Sequence, residues 1–125
     1  MLDSSHDQCI IADQWDSVDS RVALPEVMRK GFFRPQGPMP VHRDSRRMHH
    51  RFYMRGKALL RRHGITIGAF TKDVSRQGVG FLSPVQLLPL ERVELRVPSA
   101  TLTVEVACCR RLEKGCFDCG ARFVL

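Results

Sequence analysis

The chain has 125 residues, 43% of them hydrophobic, and its 20 Lys and Arg against 13 Asp and Glu give a formal net charge of +7. This composition supports one compact core, excludes a wholly disordered chain and favours an anionic partner such as a nucleotide, a nucleic acid or an acidic surface. No apolar run approaches the ~18 residues of a membrane-spanning helix and the N-terminus has no signal-peptide core, so a cytoplasmic protein without a membrane span is expected.

A short helix is predicted in the N-terminal part of the chain. Residues 20–31 read SRVALPEVMRKG. Pro25 is suited to a first helical turn and Gly31 to a stop, which places the helix near residues 25–30.

A linker is predicted to follow this helix. Residues 32–40, FFRPQGPMP, contain three prolines and a glycine, a composition typical of linkers. The sequence therefore indicates an N-terminal extension and linker, residues 1–40, followed by a folded domain, residues 41–125. Trp15 is interpreted as an anchor of the extension rather than as a ligand contact.

The positive charge is concentrated in one stretch. Residues 42–62 carry eight Lys and Arg against the single acid Asp44. The attraction for anions is therefore local, and it peaks in HRDSRRMHHR, residues 42–51.

Strand signals begin at residue 51. The predicted strands are RFYMRGKALL (51–60), GITIGAFTKDV (64–74), GVGFLS (78–83), ERVELRV (91–97), TLTVEVACC (101–109) and CFDCGARFVL (116–125). Alternation predicts core positions at Val93, Leu95, Leu102, Val104, Val106 and Phe123. Six short strands with tight turns and no convincing helix predict an all-β antiparallel barrel or sandwich, and closure into a barrel would remove exposed edges. No long C-terminal helix is expected.

Two polar motifs flank the first two predicted strands. Arg47-x-x-x-Arg51 leads into the first strand, and Asp73-x-Ser75-x-x-Gly78 leads into the third. A hairpin of the first two strands would bring these motifs together. Guanidinium groups bind phosphate oxygens and guanine O6 and N7, and a carboxylate can accept from guanine N–H groups. The pair of motifs therefore favours a guanine nucleotide, and the sequence has no P-loop motif for NTP hydrolysis.

In their order and spacing, RRMHHR, DVSRQGVGF and the terminal FDCGARF resemble the PilZ domain family over residues 46–125. The resemblance implies a six-stranded antiparallel β-barrel in a bacterial protein. It also implies a receptor that binds the second messenger cyclic di-GMP without catalysis, requires no cofactor and relays the signal to a protein partner of unknown identity.

The resemblance also implies roles for individual residues. Arg47 and Arg51 would grip phosphates and guanine edges, Asp73 and Ser75 would read one guanine edge, and Gly78 would leave space for the base. The implied ligand-binding residues are Arg46, Arg47, Arg51, Asp73, Ser75 and Gly78, and candidates for additional contacts are Arg43 and Arg76.

Two other functions stay open from the sequence. A small basic barrel can bind single-stranded nucleic acid, but aromatic residues make up only 7% of the chain, so stacking platforms are scarce and this partner is disfavoured. The domain could instead be an interaction module that has lost ligand dependence. An enzyme is disfavoured because the sequence offers no convincing nucleophile–base pair.

The five cysteines are an odd number, which suits free thiols in a reducing compartment. Cys116-x-x-Cys119 near Cys108 and Cys109 suggests a zinc site as one alternative. Residues 116 and 119 would, however, lie on opposite faces of a strand. Buried free cysteines, with no metal, are therefore the favoured prediction.

Overall fold

The computed structural model describes residues 4–41 and 49–125, with the side chains of the first helix described from residue 8 onward. Within these ranges the elements are α1 (Ser4–Ser17), α2 (Glu26–Arg29), β1 (Phe52–Arg62), β2 (Ile65–Val74), β3 (Gly78–Ser83), β4 (Arg92–Val97), β5 (Ala100–Glu113) and β6 (Cys116–Phe123). Neither of these helices is long and apolar enough to cross a membrane.

The six strands of the described chain close into an antiparallel barrel in the order β1-β2-β3-β6-β5-β4. Alternation explains its core, since β4 buries every second residue. The predicted core residues Val93, Leu95, Val104 and Val106 are at most 3% exposed, and Leu102 and Phe123 pack against the same interior cluster. The predicted fold class is confirmed, and β5 extends to Glu113, beyond its predicted end.

The N-terminal segment pairs with two strands of the barrel. Gly68 of β2 donates to the carbonyl of Ser20 at 2.8 Å and accepts from the amide of Val22 at 2.9 Å. A second bridge joins Pro38 to Phe52 at the start of β1. These bonds cover backbone groups that would otherwise form open strand edges.

The sequence predicts a helix in the N-terminal extension only near residues 25–30, whereas the structure also contains helix α1. The helix docks through Ile11, which is 2% exposed, and through Trp15, whose indole N–H donates to the carbonyl of Ala69 at 3.0 Å. The indole stacks on Phe70 with ring centroids 5.1 Å apart, which bears out Trp15 as an anchor. Ile11 and Trp15 are one helical turn apart, and two residues are too few to form a continuous apolar stripe that the sequence would reveal. The helix is therefore stabilised mainly by its packing against the barrel.

The segment predicted as a linker contributes to a second hydrophobic cluster on the outside of the barrel. Phe32 is 4% exposed and packs with Val22, Phe70, Leu82 and Cys116. Residues 32–40 are therefore held against the barrel in part by apolar burial. The division of the chain at residue 40 stays a prediction.

Cys116 and Cys119 lie on opposite faces of β6, as the sequence predicts. Cys116 belongs to the outer cluster and Cys119 to the interior cluster, and both are buried. The described residues include no group of three or more His, Cys, Asp and Glu side chains placed to hold a metal ion.

Candidate functional site

An ion pair joins the ends of the first hairpin. Arg51 Nη1 donates to Asp73 Oδ1 at 3.1 Å, and the two side chains are 36% and 6% exposed. The hairpin pairing of β1 and β2 sets this contact, because Asp73 lies opposite Tyr53. A carboxylate this buried needs a charged or hydrogen-bonding partner, and Arg51 supplies one while keeping part of its guanidinium in solvent.

A bulge in β2 turns Asp73 toward the outer surface of the barrel. The β2–β3 register shifts between Thr71 and Asp73, so that Asp73 pairs with Gly80. Gly80 in turn pairs with Gly120, and Gly120 pairs with Cys108. Paired residues share one face of a sheet. Asp73 and Cys108 are therefore separated by two positions without side chains, which we call the glycine trough (Gly80 and Gly120).

The turn between β2 and β3 is shaped by Ser75. Its amide donates to the carbonyl of Gly78 at 2.9 Å, and its Oγ accepts from the amides of Gln77 and Gly78 at 3.2 Å each. Ser75 therefore closes the turn through its own backbone and side chain. The same hydroxyl lines the cavity described below, so shaping the loop and contacting a ligand are compatible roles.

Two glycines of β3 are required by close packing. A Cβ at Gly78 would lie 2.0 Å from the carbonyl oxygen of Ala121, which is a backbone clash. A Cβ at Gly80 would lie 2.9 Å from Asp73 Oδ1. Gly78 thus permits the β3–β6 approach, and Gly80 leaves the space that the Asp73 carboxylate occupies.

A cavity of about 180 Å³ opens beside the ion pair. It is lined by Arg51, Asp73, Ser75, Gln77, Gly78, Val79, Ala107, Cys108, Gly120, Ala121 and Arg122. Four of the predicted ligand-binding residues lie within the described part of the chain, and all four line this cavity: Arg51, Asp73, Ser75 and Gly78. The lining combines a cation, a carboxylate, a hydroxyl and bare backbone, which are the groups that bind phosphate and base edges.

Of the other arginines predicted to contact the ligand, one lies within the described part of the chain. Arg43, Arg46 and Arg47 lie outside the described residues. Arg76 is exposed on the turn between β2 and β3 and does not line the cavity.

The segment that carries the three undescribed arginines is anchored at both ends. Met39 donates its amide to the carbonyl of Arg51, and Tyr53 donates to the carbonyl of Gly37, each at 2.9 Å. The described residues on either side of this segment therefore lie together at the start of β1, next to the ion pair.

Sequence reasoning missed several lining residues, among them Gln77, Cys108 and Arg122. Cys108 and Arg122 reach the site through the β5–β6 and β3–β6 pairings, in which Cys108 pairs with Gly120 and Arg122 with Gly78. These pairings form because the barrel closes, and no local pattern in the sequence predicts them. The glycine of the terminal FDCGARF motif was the one available signal.

A larger cavity, of about 490 Å³, lies between α1 and the start of β1. Ile11, Met54 and Val97 are among its lining residues, together with Arg55 and Lys57. Both cations are already engaged, Arg55 with the carbonyl of Lys72 and Lys57 with Asp16. The smaller cavity beside Asp73 is the better candidate because its polar groups converge on one space.

The barrel and this site define a small all-β domain with a cavity at one end that is lined by charged and polar groups. A model of the PilZ domain matches residues 45–125, and the chain belongs to the PilZ domain family. None of the curated proteins compared with the chain matches it.

Proposed function

We propose that the domain binds cyclic di-GMP without catalysis, in the cavity between Arg51 and the glycine trough. The observation that carries the proposal is the Arg51–Asp73 pair at 3.1 Å, on the wall of a cavity that Ser75, Gly78 and Gly120 also line. The absence of a Cβ at Gly80 gives the Asp73 carboxylate the space in which it lies on the cavity wall. Membership of the PilZ domain family supports this ligand.

Each group has a chemical role in this proposal. The Asp73 carboxylate accepts from guanine N1–H and N2–H, and the exposed part of the Arg51 guanidinium binds a phosphate or a guanine edge. The Ser75 hydroxyl supplies a further donor or acceptor.

The cavity encloses only part of such a ligand. Its volume of about 180 Å³ is below the ~300–1,000 Å³ of typical small-molecule sites. The remainder of the dinucleotide would be contacted by the arginines of residues 40–50. Arg47 is four residues from Arg51, so chain length limits their Cα separation to about 14 Å.

We also propose that the signal of ligand binding is relayed to a protein partner through the N-terminal segment. Arg55 connects this segment to the site, since its side chain donates to the carbonyl of Phe32 at 3.4 Å and to the carbonyl of Lys72 at 3.0 Å. Lys72 directly precedes Asp73. The effect of ligand contacts made by the arginines of residues 40–50 would reach Phe32 by this route. Hydrogen exchange of residues 32–41 that is unchanged by saturating ligand would contradict the relay.

Isothermal titration calorimetry of the full chain tests the binding proposal. We expect saturable binding of cyclic di-GMP, weaker binding of cyclic di-AMP, and strongly weakened binding of cyclic di-GMP to Arg51→Ala. Arg61→Ala is the matched control, because Arg61 lies exposed at the other end of β1. Binding of linear RNA equal to that of cyclic di-GMP, with a steep salt dependence, would instead favour a nucleic-acid-binding barrel.

A further inference from the structure

Two thiols face each other inside the barrel next to the glycine trough. Cys109 and Cys119 are direct partners in the β5–β6 register, and their sulfur atoms are 3.4 Å apart. Opposed residues of antiparallel strands have Cα separations of about 4.5–5.5 Å, which fall within the ~4.4–6.8 Å of natural disulfides. The backbone is therefore already placed for a bond between these two sulfurs.

The two thiols differ in their access to solvent. Cys119 is 2% exposed in the interior cluster, whereas Cys109 is half-buried and lies nearer the surface. Burial and the hydrogen bond to Cys109 raise the pKa of the Cys119 thiol above its ordinary value. Of the two thiols of this pair, Cys109 is accordingly the one more accessible to an oxidant in solution.

The remaining cysteines of the described chain lie elsewhere. Cys108 faces the outer surface and pairs with Gly120, Cys116 belongs to the outer cluster, and Cys9 is exposed on α1. The register therefore selects one thiol pair among the five cysteines.

We propose that Cys109 and Cys119 form a redox site, which closes to an intramolecular disulfide when the protein meets a peroxide. The Cys109 sulfur attacks one peroxide oxygen, the O–O bond breaks, and water leaves with the thiol proton, which gives a sulfenic acid. The Cys119 sulfur then attacks the Cys109 sulfur, the S–O bond breaks, and the departing hydroxide takes the Cys119 proton as a second water. Two thiols are oxidised to a disulfide and one peroxide is reduced to two waters.

The site would act on the wall of the candidate cavity. Cys108 and Gly120, which line the cavity, are the chain neighbours of the two thiols. A disulfide between β5 and β6 would fix the spacing of these strands directly behind the trough. The redox site itself stands on the strand register and does not depend on the proposed ligand.

The test is peptide mapping of the full chain after treatment with hydrogen peroxide and alkylation of the remaining thiols. Trypsin places Cys109 in residues 97–110 and Cys119 in residues 115–122. We expect a linked pair of these peptides that loses two hydrogen atoms and separates on treatment with dithiothreitol. Fragmentation of the linked pair locates the bond at Cys109 and Cys119.

Two serine variants complete the test. Cys108→Ser changes an exposed thiol and is expected to retain the link, whereas Cys109→Ser is expected to lose it. Absence of a linked pair in the oxidised native chain would overturn the proposal. A link that persists in Cys109→Ser, or one that fragmentation assigns to Cys108 or Cys116, would overturn it as well.

Discussion

Arg51 and Asp73 are 22 residues apart in the chain and form an ion pair of 3.1 Å at the mouth of the candidate cavity. The hydrogen bond from Arg51 orients the Asp73 carboxylate on the cavity wall. Arg51 keeps 36% of its side chain exposed. It therefore retains donors for a second anion while it holds Asp73.

Replacement of Arg51 should weaken ligand binding strongly. Arg51→Ala removes at least one charge-assisted hydrogen bond of about 1.5–3 kcal/mol, so we expect the affinity for cyclic di-GMP to fall by at least about 10- to 100-fold. Calorimetry measures the change, with Arg61→Ala as the control. Affinity that falls equally in both variants would indicate a diffuse electrostatic attraction rather than a site.

Asp73 should determine which base is accepted. Asp73→Asn keeps the shape of the side chain but replaces one acceptor oxygen with a donor, so the pairing with guanine N1–H and N2–H is lost. We expect the ratio of affinities for cyclic di-GMP and cyclic di-AMP to fall. Competition calorimetry with the two dinucleotides gives this ratio, and an unchanged ratio would remove Asp73 from base recognition.

Substitutions at the two glycines of β3 should have different effects, one on ligand binding and the other on the stability of the fold. Gly80→Ala places a Cβ 2.9 Å from Asp73 Oδ1, so the carboxylate must move and affinity should drop in a folded protein. Gly78→Ala meets the carbonyl of Ala121 at 2.0 Å and should lower the free energy of unfolding, because backbone must shift. Circular dichroism melts and calorimetry on both variants test the difference.

Gly56→Ala is the control for these glycine variants. A Cβ at Gly56 would meet Thr71 Oγ1 at an ordinary 4.0 Å, so neither binding nor folding should change much. A Gly80→Ala variant that binds as well as Gly56→Ala would show that the position of Asp73 tolerates the added methyl group.

Docking of α1 should depend on the contact between Trp15 and Gly68. A Cβ at Gly68 would lie 2.7 Å from Trp15 Nε1, so Gly68→Ala should displace the indole. Because Trp15 is the only tryptophan of the chain, its fluorescence reports docking directly. We expect a red-shifted emission maximum in Gly68→Ala.

The energetic coupling between Trp15 and Gly68 can be measured with a double mutant. Trp15→Ala should destabilise the fold by less than the ~3–5 kcal/mol of a fully buried Trp, since the side chain is only half-buried. In Trp15→Ala the Gly68→Ala change should cost less than in the native chain, because the clash with the indole is gone and only the Arg21 side chain, whose Cγ would lie 2.9 Å from the new Cβ, has to move. Additive losses in urea unfolding would contradict a shared contact.

Glu91 should contribute stability that depends on pH. Burial raises the pKa of Glu91, but the hydrogen bond from the amide of Leu88 and the ion pair with Arg62 outweigh it, so the pKa lies below its ordinary 4.5. A carboxyl group whose pKa is depressed by folding stabilises the protein fully above its unfolded pKa. That contribution is lost as the pH falls from near 4.5 through the lower folded value.

Glu91→Gln measures this contribution. Arg62 donates to Glu91 at 2.6 and 3.1 Å, and the amide cannot keep the charge of this pair. We expect a lower free energy of unfolding than in the native chain at pH 7 and a smaller difference between the two proteins near pH 3. Urea unfolding at both pH values gives the comparison, and a pH-independent difference would argue against linkage through Glu91.

Local patterns explain why much of the fold was predictable. The alternation in β4 and the hairpin of β1 and β2 each depend on residues close together in the chain. The sequence therefore predicted Leu95 in the core and Arg51 beside Asp73. The bulge that turns Asp73 outward depends on its pairing with Gly80, which the sequence does not show. Arg122 and Cys108 reach the cavity only through barrel closure, and α1 depends on the slot at Gly68.

The most direct test of the central claim is titration of the ¹⁵N-labelled full chain with cyclic di-GMP, followed through its amide resonances. We expect the largest shifts at Gln77, Gly78 and Gly120, whose amides lie in the turn and the trough. Shifts that cluster instead at Ile65 and Leu88, at the opposite end of the barrel, would contradict it.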